Sequence, residues 1–508
     1  MSETSLNADL LVNLAHRGVA ERINEEVRKE IHLKTKLDEF IEEKLEEGKQ
    51  IVLTGNPGDG KTQYIYMMEE KYPEAFYIYD ASEYNDNVEL LKNWEEKLQE
   101  EKRGILAIND GPLYEMITNH EEDYDFLTNV REQVENQVVI DSSPDLDFSD
   151  LIVINLSNRN VLAPNVVIQA MNLLDREGFK ENHDHEKKCH IQENLERISE
   201  AEDSFKKILK ELGRLDEHFT VRDLLNFLAH CVTGGRTCET EFGESLRYYN
   251  LAFEGDNNIS EALRENFGPL KHTHPFIDQE LWARAEENTR FGDQDYDKES
   301  VLEEFEKIKR RFYFESEEMG TEFNRSDLYN YINREFRDLV NGNNGFSENG
   351  KKRRVIRKLN SYFRPENARE EQLRLWFSHN YHSSESKVIV SDRTEPEHKF
   401  EFQVPQLHSK ISDAIDYVPE YYVLRWKNEE KEANLVVDKN LDQSLNILDS
   451  NIPYILRSDE EERRILAFME KIEGKQNEER SSGEIMILDT ETGKTETIRV
   501  DRETYSVS

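Results

Sequence analysis

The spacing of apolar positions changes along this chain, and each change predicts a different kind of element. Up to Gly48 they recur every three to four residues, at Ile31, Leu33, Leu37, Phe40, Ile41 and Leu45, so residues 1–48 read as helix. Short, unalternating apolar runs follow: Ile51–Thr54, Phe76–Asp80, Gly104–Asn109 and Leu151–Leu156, with a further candidate at Val138–Asp141. Runs apolar on both faces suit a parallel sheet covered by helices on either side. From about 165 to 340 the helical spacing returns. Ile191, Leu195, Ile198, Phe205, Ile208, Leu209 and Leu212 form one stripe, and Val221–Cys231 forms another that stops at Gly234-Gly235. Asn341-Gly342-Asn343-Asn344-Gly345 reads as a boundary loop. Beyond it Lys387–Ser391, Lys399–Val404, Tyr421–Trp426 and Ala433–Val437 read as strands. A polar segment, Gly474–Gly483, then precedes a hairpin of Glu484–Leu488 and Thr495–Val500. The expected organisation is an α/β core with a parallel sheet over 1–165, a helical region over 166–340, and a mixed, strand-rich α+β domain over 341–508.

Between the first apolar run and the next helix lies Gly55-Asn56-Pro57-Gly58-Asp59-Gly60-Lys61-Thr62, followed by Gln63. This is the G-x-x-x-x-G-K-[ST] pattern of a phosphate-binding loop, placed where such a loop must sit, after a buried strand and before a helix. The glycines let the backbone fold around an anion so that successive N–H groups point at the α- and β-phosphates. Lys61 reaches the β/γ oxygens and the Thr62 hydroxyl supplies a ligand to Mg²⁺. The dipole of the helix beginning there favours the triphosphate.

Hydrolysis needs more than this loop, and the ends of the other strands are where it would come from. Gly104-Ile105-Leu106-Ala107-Ile108 leads into Asn109-Asp110-Gly111. In one alignment Asn109 holds the Mg²⁺ hydration shell and Asp110 orients or deprotonates the attacking water. In the other Asp110 is the metal partner and no catalytic acid remains, and a plain turn after a core strand is a third reading. Leu151–Leu156 runs into Ser157-Asn158-Arg159, so Asn155 or Asn158 could meet the γ-phosphate or the water. Arg159 could meet a phosphate in cis or across a subunit boundary; the bland alternative is a polar loop leaving a strand. Arg222, at the helix start Thr220-Val221-Arg222-Asp223, either reaches back to the nucleotide or pairs with a carboxylate.

Taken together, the phosphate loop, the strand ending Ile-Asn-Asp-Gly, the strand ending Asn-Leu-Ser-Asn-Arg and a helical lid beginning Thr-Val-Arg-Asp-Leu-Leu resemble an AAA+-type P-loop ATPase. The form with Asn-Asp before Gly is most similar to ATPases of prokaryotic DNA-defence islands, such as the DptF-like group of phosphorothioation-dependent restriction. Weaker similarity runs through Ile308–Glu315, Lys358–Phe363 and Tyr417–Leu424. The resemblance implies ATP and Mg²⁺ as ligands, a homo-oligomer, and partner proteins of a DNA modification or restriction complex. A nucleotide-gated scaffold or signalling switch with slow hydrolysis is the alternative.

Composition narrows this picture. The 107 Asp and Glu against 66 Lys and Arg give a formal charge of −41, spread along the chain, which argues against non-specific coating of nucleic acid. Two local exceptions, Lys351-Lys352-Arg353-Arg354 and the group Lys307, Lys309, Arg310 and Arg311, are candidate DNA contacts or, equally, partners for acidic surfaces. Three cysteines make no disulfide framework, and neither a signal sequence nor a membrane-length apolar run is present, so a cytoplasmic protein is expected. His183, His185, Cys189 and His190 have the residue types of a zinc site but no accompanying Cys-x-x-Cys; a solvated loop is the alternative.

Overall fold

The computed structural model describes residues 6–16, 25–81, 84, 87–140, 144–180, 189–214, 218–271, 273–289, 297–322, 334–340, 347–363, 371–378, 388–429, 431–446, 459–473, 484–489, 494–500 and 505–507. The chain separates into two compact units, Met1–Ile332 with Leu407–Val418, and Asn333–Gln406 with Pro419–Ser508. The expected parts 1–165 and 166–340 thus share one unit, up to Ile332, as layers with their own cores.

The N-terminal segment is not one helix. It forms α1 (Ala8–Ala15), α2 (Glu25–Glu30) and α3 (Lys36–Glu46). The break before α3 has a local cause: Thr35 caps the helix and Asp38 returns a bond to the Thr35 backbone at 2.7 Å, while the second Asp38 oxygen meets His32 Nε2 at 2.6 Å. Ile31 and Leu33 therefore lie ahead of α3 instead of on its stripe.

Next come β1 (Gln50–Thr54), α4 (Lys61–Lys71), β2 (Phe76–Ile78), α5 (Asn87–Gln99), β3 (Gly104–Ala107), α6 (Asp110–His120), α7 (Phe126–Glu135), β4 (Val138–Val139) and β5 (Leu151–Asn155). Four of the strands form a parallel sheet in the order β2-β3-β1-β5, with Leu53 opposite Ala107 and Thr54 opposite Asn155. β4 stands outside that sheet. Both faces are buried: Ile51, Leu53, Ile105, Ile152 and Ile154 pack with α3 and α4, and Val52, Leu106 and Val153 pack with α5, α6 and α7. That is why the runs do not alternate in sequence.

On its side away from β1, β5 is finished by side chains. Gln133 Nε2 donates to Leu151 O (3.0 Å) and Asp147 O (2.8 Å), and its Oε1 accepts from Val153 N (2.9 Å). Gln137 repeats the pattern with Val153 O (3.1 Å) and Asn155 N (2.9 Å). Two carboxamides four residues apart thus stand in for a neighbouring strand.

The helical layer holds α8 (Pro164–Leu174), α9 (Glu177–Lys180), α10 (His190–Glu200), α11 (Glu202–Leu212), α12 (Val221–Thr233), α13 (Tyr248–Glu254), α14 (Asn258–Phe267), α15 (Pro275–Thr289) and α16 (Lys298–Glu315). The stripe read over 191–212 is two helices, divided at Ala201. Together with α1 the layer has a continuous apolar core through Leu195, Phe205, Phe227, Tyr248 and Phe312. α12 ends where expected, on Gly234 in the left-handed region (φ 58°).

The second unit contains a three-stranded antiparallel sheet (Phe400–Gln403, Tyr421–Lys427, Glu432–Asp438). A five-stranded sheet is built on Leu373–Ser378, Val388–Glu395, Glu484–Asp489, Thr495–Val500 and Tyr505–Val507. The expected hairpin pairs Leu488 with Thr495, whereas the strand at Leu373–Ser378 and the helices Glu348–Phe363 and Asp459–Glu473 were not read from the sequence. The expected loop at 341–345 and the polar segment 474–483 lie outside the described residues. Among the described residues no helix is long and apolar enough to cross a membrane.

Gln133→Leu keeps the volume of the side chain but leaves Val153 N and two carbonyls without a partner. It should lower the unfolding free energy by about 1–3 kcal/mol, read as a shift of the urea midpoint; an unchanged midpoint would mean that water satisfies this edge equally well.

Candidate functional site

The parallel sheet presents the C-terminal ends of β1, β2, β3 and β5 at one edge, and β1 has later strands on either side of it, the place where open α/β sheets hold ligands. Gly55–Gly60 leaves β1 there and enters α4. Three glycines carry positive φ, Gly55 (139°), Gly58 (106°) and Gly60 (84°). At Gly55 the lack of a side chain is also steric, because a Cβ would stand 2.6 Å from Asp59 Oδ2.

The loop is braced from within and below. Asp59 is fully buried; its Oδ2 accepts from Asn56 N at 2.6 Å, and its Oδ1 lies 3.1 Å from His218 Nε2. Lys61 Nζ donates to Gly55 O (2.9 Å) and Asn56 O (2.8 Å). Burial holds its ammonium below the usual lysine value, against the opposing pull of Asp59, Asp110 and Asp80. Arg159 is buried beneath the loop, donating to Asp59 O (2.6 Å) and Tyr64 Oη (2.8 Å). Tyr64 Oη in turn lies 2.9 Å from Thr35 Oγ1 at the cap of α3.

A cavity of about 570 Å³ opens against this loop. Of the residues expected at the site, Pro57, Gly58, Asp59, Gly60, Lys61, Thr62, Gln63, Asn109 and Arg222 line it; Gly55, Asn56, Asp110, Asn158 and Arg159 do not. The expected contact of Arg159 with a phosphate is corrected by its burial under the loop, where it acts as a brace. Asp110 opens α6 with both oxygens engaged, Oδ1 by Thr54 Oγ1 (2.5 Å) and Oδ2 by Ser157 Oγ (2.8 Å), so its carboxylate ties the ends of β1 and β5 together. Asn158 closes the short turn 156–158. Arg222 is held close, its backbone N donating to Gly58 O at 3.2 Å, and Thr220 beside it caps α12.

Sequence reasoning missed Asp80, which follows β2 and lines the cavity beside Thr62, whose hydroxyl donates to Tyr79 O at 3.2 Å. A carboxylate just past a short apolar run was the available signal, the same one that drew attention to Asn109. Thr62, Asp80 and Asn109 offer hard oxygen donors to one cavity, the donor type that suits Mg²⁺, which keeps much of its shell as water and phosphate. Among the described residues no group of three or more His, Cys, Asp or Glu could hold a metal by itself. His183 and His185 lie outside the described residues, and His190 is buried with Nε2 3.0 Å from Thr233 O.

Each basic cluster is divided between interior and surface. Lys351 is buried with Nζ donating to Leu339 O at 2.7 Å; Lys352 and Arg353 reach Glu397 at 3.7 and 2.8 Å, and Arg354 is half-buried. In the other group Lys309 is fully buried between Pro269 O and Asp278, Arg310 pairs with Glu254 and Arg311 with Glu315. Neither cluster forms the continuous cationic face expected of a DNA contact.

Compared with protein-family models, curated proteins and solved structures, the chain matches none.

Arg159→Ala should destabilise the protein without any ligand by about 2–4 kcal/mol, since it removes two buried donors and leaves Tyr64 and the Asp59 carbonyl short of partners. A denaturation midpoint equal to wild type would remove the bracing role.

Proposed function

We propose that the chain binds ATP with Mg²⁺ at this cavity and hydrolyses it, as an AAA+-type P-loop ATPase. The observation that carries the reading is that the glycine loop, Lys61 and the N-terminus of α4 all border one cavity of nucleotide size. Backbone N–H groups of Gly58, Gly60, Lys61 and Thr62 hold the phosphates, and Lys61 leaves its two carbonyl partners for the β/γ oxygens. Thr62, with Asp80 and Asn109, would hold Mg²⁺, which when bound neutralises charge on the phosphate oxygens. Arg222, which lines the cavity as Arg28 does, is a cation available to a terminal phosphate. The place of this ATPase in a prokaryotic DNA modification or restriction complex, alongside other proteins of that system, rests on the resemblance to the DptF-like group.

One observation favours the second reading, a nucleotide-gated switch with slow hydrolysis. Both oxygens of Asp110 are engaged, and the carboxylates lining the cavity are Asp59, held by the loop itself, and Asp80. In that case ATP bound to wild type is recovered intact after gel filtration, whereas an active ATPase returns ADP.

Lys61→Met should abolish binding of a fluorescent ATP analogue while leaving the protein folded, because it removes the cation meant for the β/γ oxygens without opening a core cavity. Undiminished binding would overturn the site. Asp80→Ala should raise the Mg²⁺ concentration needed for half-maximal binding roughly tenfold or more; an unchanged requirement would return the metal position to Asn109 and Asp110.

A further inference from the structure

Beyond the phosphate loop, the same cavity has an apolar wall contributed by other elements: Leu14 from α1, Ile31 and Leu33 from the segment after α2, and Val221 and Leu225 from α12. Polar side chains interrupt it, Arg28 and His32 beside Ile31 and Asn226 on α12. Asn226 lines the cavity and is only 4 % exposed, and its Oδ1 is buried with no hydrogen-bond partner among the described residues. Buried amides are normally satisfied, so an unpartnered carboxamide oxygen on a residue that lines a ligand-sized cavity marks a place where a ligand group can complete it. Spacing on α12 supports this placement. Val221, Arg222, Leu225 and Asn226 occupy one face of the helix, so one element offers the cavity a cation, an apolar surface and a carboxamide in sequence.

We propose that Asn226 reads the base of the bound nucleotide and selects adenine over guanine; this rests on the nucleotide reading of the site given above. A carboxamide meets adenine in both directions at once, accepting from the exocyclic N6–H and donating to N7. On the same edge guanine presents O6 and N7, both acceptors, so the Asn226 oxygen would face another oxygen and remain unsatisfied. Discrimination arises from an unpaired polar group forced to stay buried, which is the stronger kind of selectivity, rather than from pocket size. Leu14, Ile31, Leu33 and Leu225 supply the apolar contacts that either purine could use, so they add affinity without choosing between the two.

The experiment is calorimetric titration of the full chain with the slowly hydrolysed analogues ATPγS and GTPγS in the presence of Mg²⁺, for wild type, Asn226→Ala, Asn226→Asp and Lys61→Met. Wild type should bind ATPγS roughly tenfold or more tightly than GTPγS. Asn226→Ala should weaken ATPγS and leave GTPγS nearly unchanged, so that the ratio collapses toward one. Asn226→Asp, which keeps the shape but replaces the N–H donor with an acceptor, should lose ATPγS affinity at least as far. Melting temperatures of the Asn226→Ala protein without ligand should not fall, since the wild-type Oδ1 makes no bond there; this separates base reading from a merely structural role. An unchanged ATPγS-to-GTPγS ratio in Asn226→Ala, or equal losses for both, overturns the assignment while Lys61→Met still reports a working phosphate site. If folded wild type binds neither analogue, the nucleotide reading falls and this inference falls with it.

Discussion

The carboxylate of Asp59 is shut off from solvent in the middle of a loop whose glycines aim backbone N–H groups at anions, and much of the site follows from how that charge is held. Left alone, a buried carboxylate would be strongly unfavourable, and it would repel any phosphate brought to the loop. Instead it takes the Asn56 amide and the His218 ring as partners, while the neighbouring Asp59 carbonyl takes the Arg159 guanidinium. Gly55 is then obligatory, because no side chain fits against Asp59 Oδ2. The loop is thus shaped before a ligand arrives, and binding does not have to order it.

The same bonds join the sheet to the helical layer. His218 and Thr220 lie just ahead of α12, Arg222 N bonds Gly58 O, and a Cβ at Gly58 would approach Thr220 Oγ1 to 3.0 Å. α12 itself is buried along Leu224, Phe227, Leu228 and Val232 within the largest apolar cluster. A densely packed helix cannot deform locally to absorb a shift of its first turn. The glycine loop and the helical core are therefore connected by the Arg222 N–Gly58 O hydrogen bond, the His218–Asp59 contact and a steric stop.

Cations are scarce against the acidic background, and the fold uses several of them internally. Lys61, Lys309, Lys351 and Lys358 are all buried, and each donates to a backbone carbonyl or a carboxylate. Lys358 shares Asp442 with the Tyr422 hydroxyl, both at 2.8 Å, a small buried polar network inside the second unit. Burial of this kind is tolerated only with partners of good geometry. Runs of Lys and Arg thus look like surface features in the sequence, although their side chains alternate between solvent and interior once a helix fixes their directions.

Local pattern by itself determined the parallel strands, the glycine loop between β1 and α4, the stop of α12 at Gly234 and the terminal hairpin. Each of these is written in contiguous residues: an apolar run, a positive-φ requirement, a period of 3.6 or 2. Helix division at Thr35 and Ala201 was less legible, since the apolar stripe continues across both breaks and only the capping geometry reveals the first. Tertiary structure alone decided which polar groups meet. Asp80 and Asn226 come to the cavity beside Lys61 from β2 and α12, Asp110 is drawn away to Thr54 and Ser157, and Arg159 goes under the loop instead of into it. A sequence states which residues end a strand, but strand order and the direction of a buried side chain depend on contacts between residues far apart in the chain, and no local spacing encodes them.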